Sequence, residues 1–393
     1  MKTSTFTVTK TSDSRHVRKS KRTFFSYKWQ KEEQLLQFEI TTTTKKIMKT
    51  LIKTLLVASV MLPSALQAGI PSIFDVFNHS EVLQLELEFD MQQMYDKVNT
   101  NEEYPAVFRF QDKHGHWVEL SSELRARGRF RRRSCEFPPL RIDFSKKDLR
   151  ARGLLDFDDL KLVTHCMEGR QGKENVLREY LAYEMYSRLT EKALRAQLVE
   201  VTYRDTEGNK KLTSYGILLE DVDELAARLG SEECDECYGL TSVDMVQDNL
   251  QTHAMFQYMI GNVDWSLSQM RNLKIMKPID GSAYWLAPYD FDFSGLVGAS
   301  YAIPRKEIGQ KKVGERIYLG SERTNMELEA TADYFRSKKG ELLTLVEDFN
   351  LLSRHGRREV TEYINDFYEA LDNGIICQEL ADSGCSTNSG AMK

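Results

Sequence analysis

The chain has 393 residues, 41% hydrophobic, 29% charged and 10% aromatic, a composition that supports a large buried core and excludes global disorder. Its formal net charge is −5. Residues 1–68 hold 13 Lys and Arg against 4 Asp and Glu, so the remainder, with 41 basic and 55 acidic side chains, stands at −14, which excludes general nucleic-acid binding.

The first 68 residues separate from the rest. Lys49 and Lys53 precede a mostly apolar run at 55–62 that is too short to span a bilayer. Ala65-Leu66-Gln67-Ala68 places small residues at the two positions a signal peptidase reads. The expectation is a signal peptide over 48–68, starting at Met48 and cleaved between Ala68 and Gly69. Residues 1–47 then read as an upstream extension translated in error, with a disordered arm as the alternative. No later apolar stretch has the length of a membrane span. The mature protein is therefore expected to be secreted or periplasmic, without a stable transmembrane segment.

Leu83, Leu85, Leu87 and Phe89 alternate with polar residues, as do Ala106, Phe108 and Phe110 and then Leu140, Ile142 and Phe144, the period of half-buried strands. The turn-like residues 112–115 make 116–120 a hairpin partner. Residues 160–163 read as a short strand with Lys161 opposite its leucines. Leu177, Leu181, Met185 and Leu189 recur every four positions, which predicts a helix over 175–189. Strands are expected at 198–203 and 215–219, and helices at 221–229 and 243–260. A hairpin of 273–276 and 284–287 follows, then helices at 327–350 and 357–371. Strands early and helices late predict an α+β fold with an antiparallel, sheet-rich N-lobe at about 80–220 and a helix-rich C-lobe at about 221–372. Residues 376–393 read as a loose tail.

All six cysteines follow the expected cleavage site, and an even count in an exported chain favours disulfides. Cys377 and Cys385 are close enough to clip the tail. Cys234 and Cys237, in Cys-Asp-Glu-Cys, read as a loop staple, since no thioredoxin-like strand pattern surrounds them. Cys135 and Cys166 would then pair by elimination, one connectivity among the roughly 15 that six cysteines allow.

The chemistry-bearing residues cluster in the second half. Gly261-Asn262-Val263-Asp264-Trp265 closes a helix, Asn272 opens a strand, and Tyr289-Asp290-Phe291-Asp292-Phe293-Ser294-Gly295 follows the next strand. A hairpin with these groups at its mouth can gather Asp264, Asn272 and Asp290. Phosphoryl transfer needs one carboxylate to orient the accepting hydroxyl, and an amide and a second carboxylate to hold magnesium. Lys161 on a strand before a helix bearing Glu179 matches the device that steadies nucleotide phosphates, and Arg141 is its rival. Residues 127–133 contain five arginines, and Gly128 lets backbone approach a phosphate.

In their order these motifs resemble the atypical kinases of the spore-coat protein H (CotH) family. The likeness includes Asn262 and Asp264, Asn272, Asp290 and Asp292, and Gly295. It extends to Arg127-Gly128 before Pro139-Leu140-Arg141-Ile142, and to Tyr215-Gly216 running to Glu220. It covers roughly residues 83–300 and implies a two-lobed atypical kinase fold over 69–375. By that resemblance Asp264 is the catalytic Asp, Asn272 and Asp290 are metal ligands, and Asp292 is a second acidic ligand. The implied cofactors are ATP and Mg2+, with Mn2+ as a substitute, and the implied substrate is a hydroxyl of another exported protein.

Plainer readings stand beside these. Asp290 and Asp292 fit a turn after a strand, and Asn262 a helix cap. Lys161 fits a solvated strand position. The arginine run fits a surface patch for an anionic partner, which makes a catalytically inactive binding module the alternative function. His165 reads as a packed strand-end residue. His253 lacks a second ligand at useful spacing, and Asp156, Asp158 and Asp159 read as a solvated turn.

Overall fold

A computed structural model describes residues 69–77, 82–208, 210–320 and 325–374. The expected signal peptide, the 1–47 extension and the Cys377/Cys385 pair lie outside the described residues. After a short helix α1 (Ile73–Phe77), the first half of the described chain is strand-rich: β1 (Leu83–Phe89), β2 (Tyr104–Gln111), β3 (Trp117–Ala126), β4 (Leu140–Phe144), β5 (Asp159–Val163), β6 (Ala196–Asp205) and β7 (Lys211–Leu219). Small helices α2 (Met91–Asp96), α3 (Arg131–Ser134) and α4 (Lys146–Ala151) decorate it, and the long α5 (Gly169–Leu189) interrupts it.

Alternation explains why these segments are strands. Leu85, Leu87 and Phe89 of β1, Phe108 and Phe110 of β2, and Leu140 and Ile142 of β4 are all buried, while the residues between them are partly exposed. The inward set forms one apolar core. The neighbour order is β1-β2-β3-β4-β5-β7-β6, and a parallel β6–β1 pair closes it into a barrel. The expected antiparallel sheet is thus corrected in one respect. Its pairs are antiparallel except at the seam, where Leu85 lies opposite Val201 and Leu87 opposite Tyr203. Closure removes both open edges of the sheet. Gly216 sits where β5 and β6 crowd in, since a Cβ there would come within 2.9 Å of a Leu162 methyl.

The second half is mostly helical. α6 (Val222–Arg228) leads to β8 (Ser231–Glu233) and α7 (Gln247–Met259). β9 (Leu273–Pro278) and β10 (Trp285–Pro288) join β8 in a three-stranded sheet of order β10-β9-β8. Two long helices follow, α8 (Asn325–Asp348) and α9 (Arg354–Asp372). The fourfold stripe on α5 is buried throughout, and it packs with Phe256, Phe335, Ile364 and Phe367 in a second core. Between β10 and α8, residues 289–320 hold only one short 3-10 turn, at Lys306–Ile308. A long segment of this kind inside a packed domain commonly carries function.

Among the described residues two disulfides are formed, Cys135–Cys166 and Cys234–Cys237. Such bonds persist in oxidising compartments. Among the described residues no helix is long and apolar enough to cross a membrane.

Ile142 is fully buried in the barrel core. Ile142→Ala should therefore lower unfolding free energy by about 2–5 kcal/mol, read as a lower urea midpoint. An effect near zero would mean that the barrel interior is not packed as described.

Candidate active site

The loop bearing Asp264 begins with a helix stop. Gly261 has φ 64°, a left-handed conformation that favours glycine. It ends α7 in a Schellman motif, with Asn262 N donating to Gln257 O at 2.8 Å and Gly261 N to Tyr258 O at 3.1 Å. The buried Asn262 side chain then accepts from Asp264 N at 3.0 Å. The eight-residue step from Asp264 to Asn272 is closed by a two-way backbone bridge between Ser266 and Arg271.

Asn272 returns the chain to Asp264. Its Nδ2 donates to the Asp264 carbonyl at 2.7 Å and to Asp264 Oδ2 at 3.0 Å. Its own carbonyl accepts from Tyr289 N at 3.1 Å, which extends the β9–β10 ladder to the residue before Asp290. Asn272 (φ 53°) and Asp290 (φ 66°) are both left-handed non-glycine residues. Such strain costs about 1–3 kcal/mol per residue and persists where surrounding contacts over-determine it. For Asp290 those contacts include its N–H donating to the Tyr183 hydroxyl at 2.9 Å.

The carboxylates beyond the hairpin converge on a guanidinium. Arg131, on α3, reaches Asp290 Oδ1 at 2.7 Å, Asp292 Oδ2 at 2.8 Å and Glu179 of α5 at 3.3 Å. The side chains of Arg131, Glu179 and Asp292 are only 6%, 3% and 3% exposed, whereas Asp290 keeps 28%. Burial works against the charge on Arg131, but Asp290, Asp292 and Glu179 outweigh it and hold the guanidinium protonated. Burial pushes the Glu179 carboxyl up to about 8, against the pull of Arg131. It also raises Asp292, which has Tyr301 as a further hydrogen-bond partner. Between the two acids, Phe291 points into the helical core against Tyr183 and Phe256, and Phe293 meets Phe130 at 5.3 Å. Gly295 N donates to Gly261 O, which stitches this loop to the end of α7. Both glycines leave room for the Tyr363 hydroxyl, which would lie 2.0–2.2 Å from a Cβ at either position.

Beside this lies a cleft of about 530 Å³ between β3–β5 and the β8–β9 strands. Arg125, Arg141 and Lys161 stand in register on the outer barrel face. Lys274 of β9 and Arg127, whose guanidinium is 6.0 Å from the Tyr289 ring centre, also line the cleft. Arg141 is held by Asp159 at 2.9 Å and Asp143 at 3.2 Å, and Lys274 by Glu233 and, at 3.6 Å, Asp235. Among the described residues Lys161 forms an ion pair with Asp159 alone, at 3.9 Å. Burial, together with the like charges of Arg127 and Lys274, lowers its pKa.

The hairpin therefore bonds Asn272 to Asp264 and to Tyr289, the residue before Asp290. Lys161, Arg141 and Arg127 share the cleft, and Gly128 next to Arg127 is left-handed at φ 82°. The expected Lys161–Glu179 partnership does not form: Glu179 is engaged by Arg131 and Lys161 faces the cleft. Asp292 lies on Arg131 as well. Arg131 and Lys274 were missed. Lys274 was legible two positions after Asn272, hence on the same strand face. Periodicity cannot say which of five arginines is buried.

Among the described residues no group of three or more His, Cys, Asp or Glu side chains is arranged to hold a metal by itself. Magnesium commonly needs only one or two protein ligands when phosphates supply the rest. Asn272 Oδ1 and the second oxygen of Asp290 have no hydrogen-bond partner among the described residues and suit that role.

The raised Glu179 pKa has a stability consequence. Between about pH 4.5 and 8 the folded state holds a proton that the unfolded state releases, so this group's stabilisation is lost as pH rises through that window. Glu179→Gln should flatten that slope in denaturation measurements at pH 5 and pH 8; an unchanged slope would count against it. Arg131→Ala leaves buried carboxylates uncompensated and should cost about 3–5 kcal/mol.

No protein-family model matches the chain, and no curated protein matches it. Among solved structures it is similar to the crystal structure of a Helicobacter pylori proinflammatory kinase, CtkA, with TM-score 0.36 and 10% identity, over 63% of this chain and 97% of that one.

Proposed function

We propose that the mature chain is an exported, two-lobed atypical protein kinase that transfers the γ-phosphoryl group of ATP to a hydroxyl of another exported protein with magnesium. The observation that carries this reading is the hydrogen-bonded Asp264–Asn272 pair, with Asn272 also bonded to the residue before Asp290, on the hairpin whose Lys274 lines a cleft of charged side chains.

Asp264 is the group that meets the acceptor. Its carboxylate is 29% exposed, and Asn272 and Arg271 leave it oriented, with Arg271 at 3.6 Å from Oδ1. It would take the proton of the attacking hydroxyl as the new oxygen–phosphorus bond forms and the bond from the γ-phosphorus to the β–γ bridging oxygen breaks, releasing ADP. Arg127 and Lys161 would carry the donor's phosphates, with Lys274 and Arg141 adding positive charge from within their ion pairs. Asn272 and the outer oxygen of Asp290 would hold magnesium, which when bound would offset the negative charge of the phosphate chain.

A second reading is favoured by one specific observation. Arg131 already contacts Asp290, Asp292 and Glu179. A binding module without turnover, with cleft and arginines serving an anionic partner, would also have this arrangement.

Thermal unfolding with millimolar ATP and magnesium tests the proposal, because a ligand held only by the folded chain raises the midpoint. A rise is expected in the wild type and in Asp264→Ala. Labelled-phosphate transfer should fall by about 10²–10⁴ in Asp264→Ala while the fold is kept. A midpoint unmoved by nucleotide would overturn the kinase reading and favour the module.

A further inference from the structure

We infer that the cleft recognises its ligand through the phosphate chain and not through a base, so that inorganic tripolyphosphate is taken as readily as a nucleoside triphosphate. This rests on the cleft being the phosphoryl-donor site proposed above.

The lining decides the chemistry. Pockets that hold flat heterocycles are mostly apolar, with a few polar groups fixing orientation. This cleft is the reverse: its lining side chains are all charged except Val222. Val222 is itself only 3% exposed, so it offers almost no face for a ring. The strand face that would lie over a base presents Arg125, Arg141 and Lys161 in register. Seating a base on that row would strip water from charged groups without replacing their hydrogen bonds.

A phosphate chain makes the opposite exchange. Guanidinium forks match phosphate oxygens, and a lysine serves as a point charge. The acids and bases of the lining balance in number, and the bases least engaged are Arg127, which has no ion pair among the described residues, and Lys161, whose ion pair with Asp159 is 3.9 Å long. Arg127, Lys161 and Lys274 stand close enough for their charges to be felt at Lys161, an arrangement that an anion between them relieves. The acids of the lining are mostly engaged with Arg141, Lys146 and Lys274. A ligand that arrives as its magnesium complex brings less repulsion to them than a bare polyanion.

Calorimetric titration of the intact mature chain with ATP, GTP, tripolyphosphate and adenosine, all with magnesium, reads the inference directly. The three polyphosphates should bind with dissociation constants within about threefold of one another, a spread well under 1 kcal/mol, and adenosine should not bind. Lys161→Met should weaken all three by the same factor. ATP binding about tenfold or more tighter than both GTP and tripolyphosphate would overturn the inference and leave the kinase reading intact. Failure of all three polyphosphates to bind would remove the kinase reading, and the inference with it.

Discussion

The arrangement of the site depends on one buried guanidinium. Arg131 comes from a four-residue helix on the barrel side, and its partners come from elsewhere: Glu179 from the long helix α5, Asp290 and Asp292 from the loop after β10. Burying Arg131, Glu179 and Asp292 carries a desolvation penalty of several kcal/mol per ion, which mutual attraction offsets only when the geometry is close. Such a cluster adds little to net stability compared with an apolar core. Its effect is on specificity, because any displacement of the loops would leave buried charge unpaired. The Cys135–Cys166 bond immediately after α3 anchors the segment that delivers the arginine. The charge cluster and the covalent link act on the same short stretch, residues 131–135.

From Arg131 the order passes to the reacting end. Holding Asp290 Oδ1 fixes the side chain of a residue whose backbone is already in a sparsely populated region, and the Tyr183 hydroxyl secures its N–H. Tyr289 in turn holds the carbonyl of Asn272, also left-handed, and Asn272 holds Asp264. Two strained residues adjacent across one ladder are an expensive local choice. Tight packing at the base of the loop makes it tenable, with Gly261 and Gly295 admitting the Tyr363 hydroxyl that donates to Gly314 O. A side chain at either glycine would displace that tyrosine and loosen the segment that restrains Asp290.

What could be read in the chain beforehand followed the range of each signal. Local periodicity was sufficient for the strands at Leu83–Phe89 and Leu140–Phe144 and for the stripe on α5, because burial on one face imposes a period of two or of about four. The hairpin that joins Asn272 to Asp290 was legible for the same reason: its turn is short and its ladder is local. Barrel closure was not, since the β6–β1 pairing joins strands more than a hundred residues apart and leaves no mark on either sequence. The partner of Glu179 was misjudged on similar grounds. A strand lysine before a helix glutamate suggested Lys161, but Lys161 falls on the outer, cleft-facing side of the barrel. The arginine that reaches Glu179 sits in a loop whose position is set by a disulfide and by tertiary packing.

The two functional readings separate on what Arg131 leaves free. A guanidinium that took both oxygens of Asp290, or the oxygen of Asn272, would have to be expelled before any cation could bind. Breaking a buried pair of that kind costs about 3–5 kcal/mol, a large tax on affinity. Here the guanidinium reaches Asp290 at Oδ1, and Asn272 donates its amide nitrogen to Asp264. The Asp290 side chain keeps 28% of its surface open to solvent, and among the described residues the Asn272 side-chain oxygen has no hydrogen-bond partner. On the reading proposed above, these are the two groups a phosphate-borne cation would use without expelling the buried guanidinium. On that reading the arginine restrains the site instead of occupying it, which is the ground for preferring the enzymatic reading to the inert one.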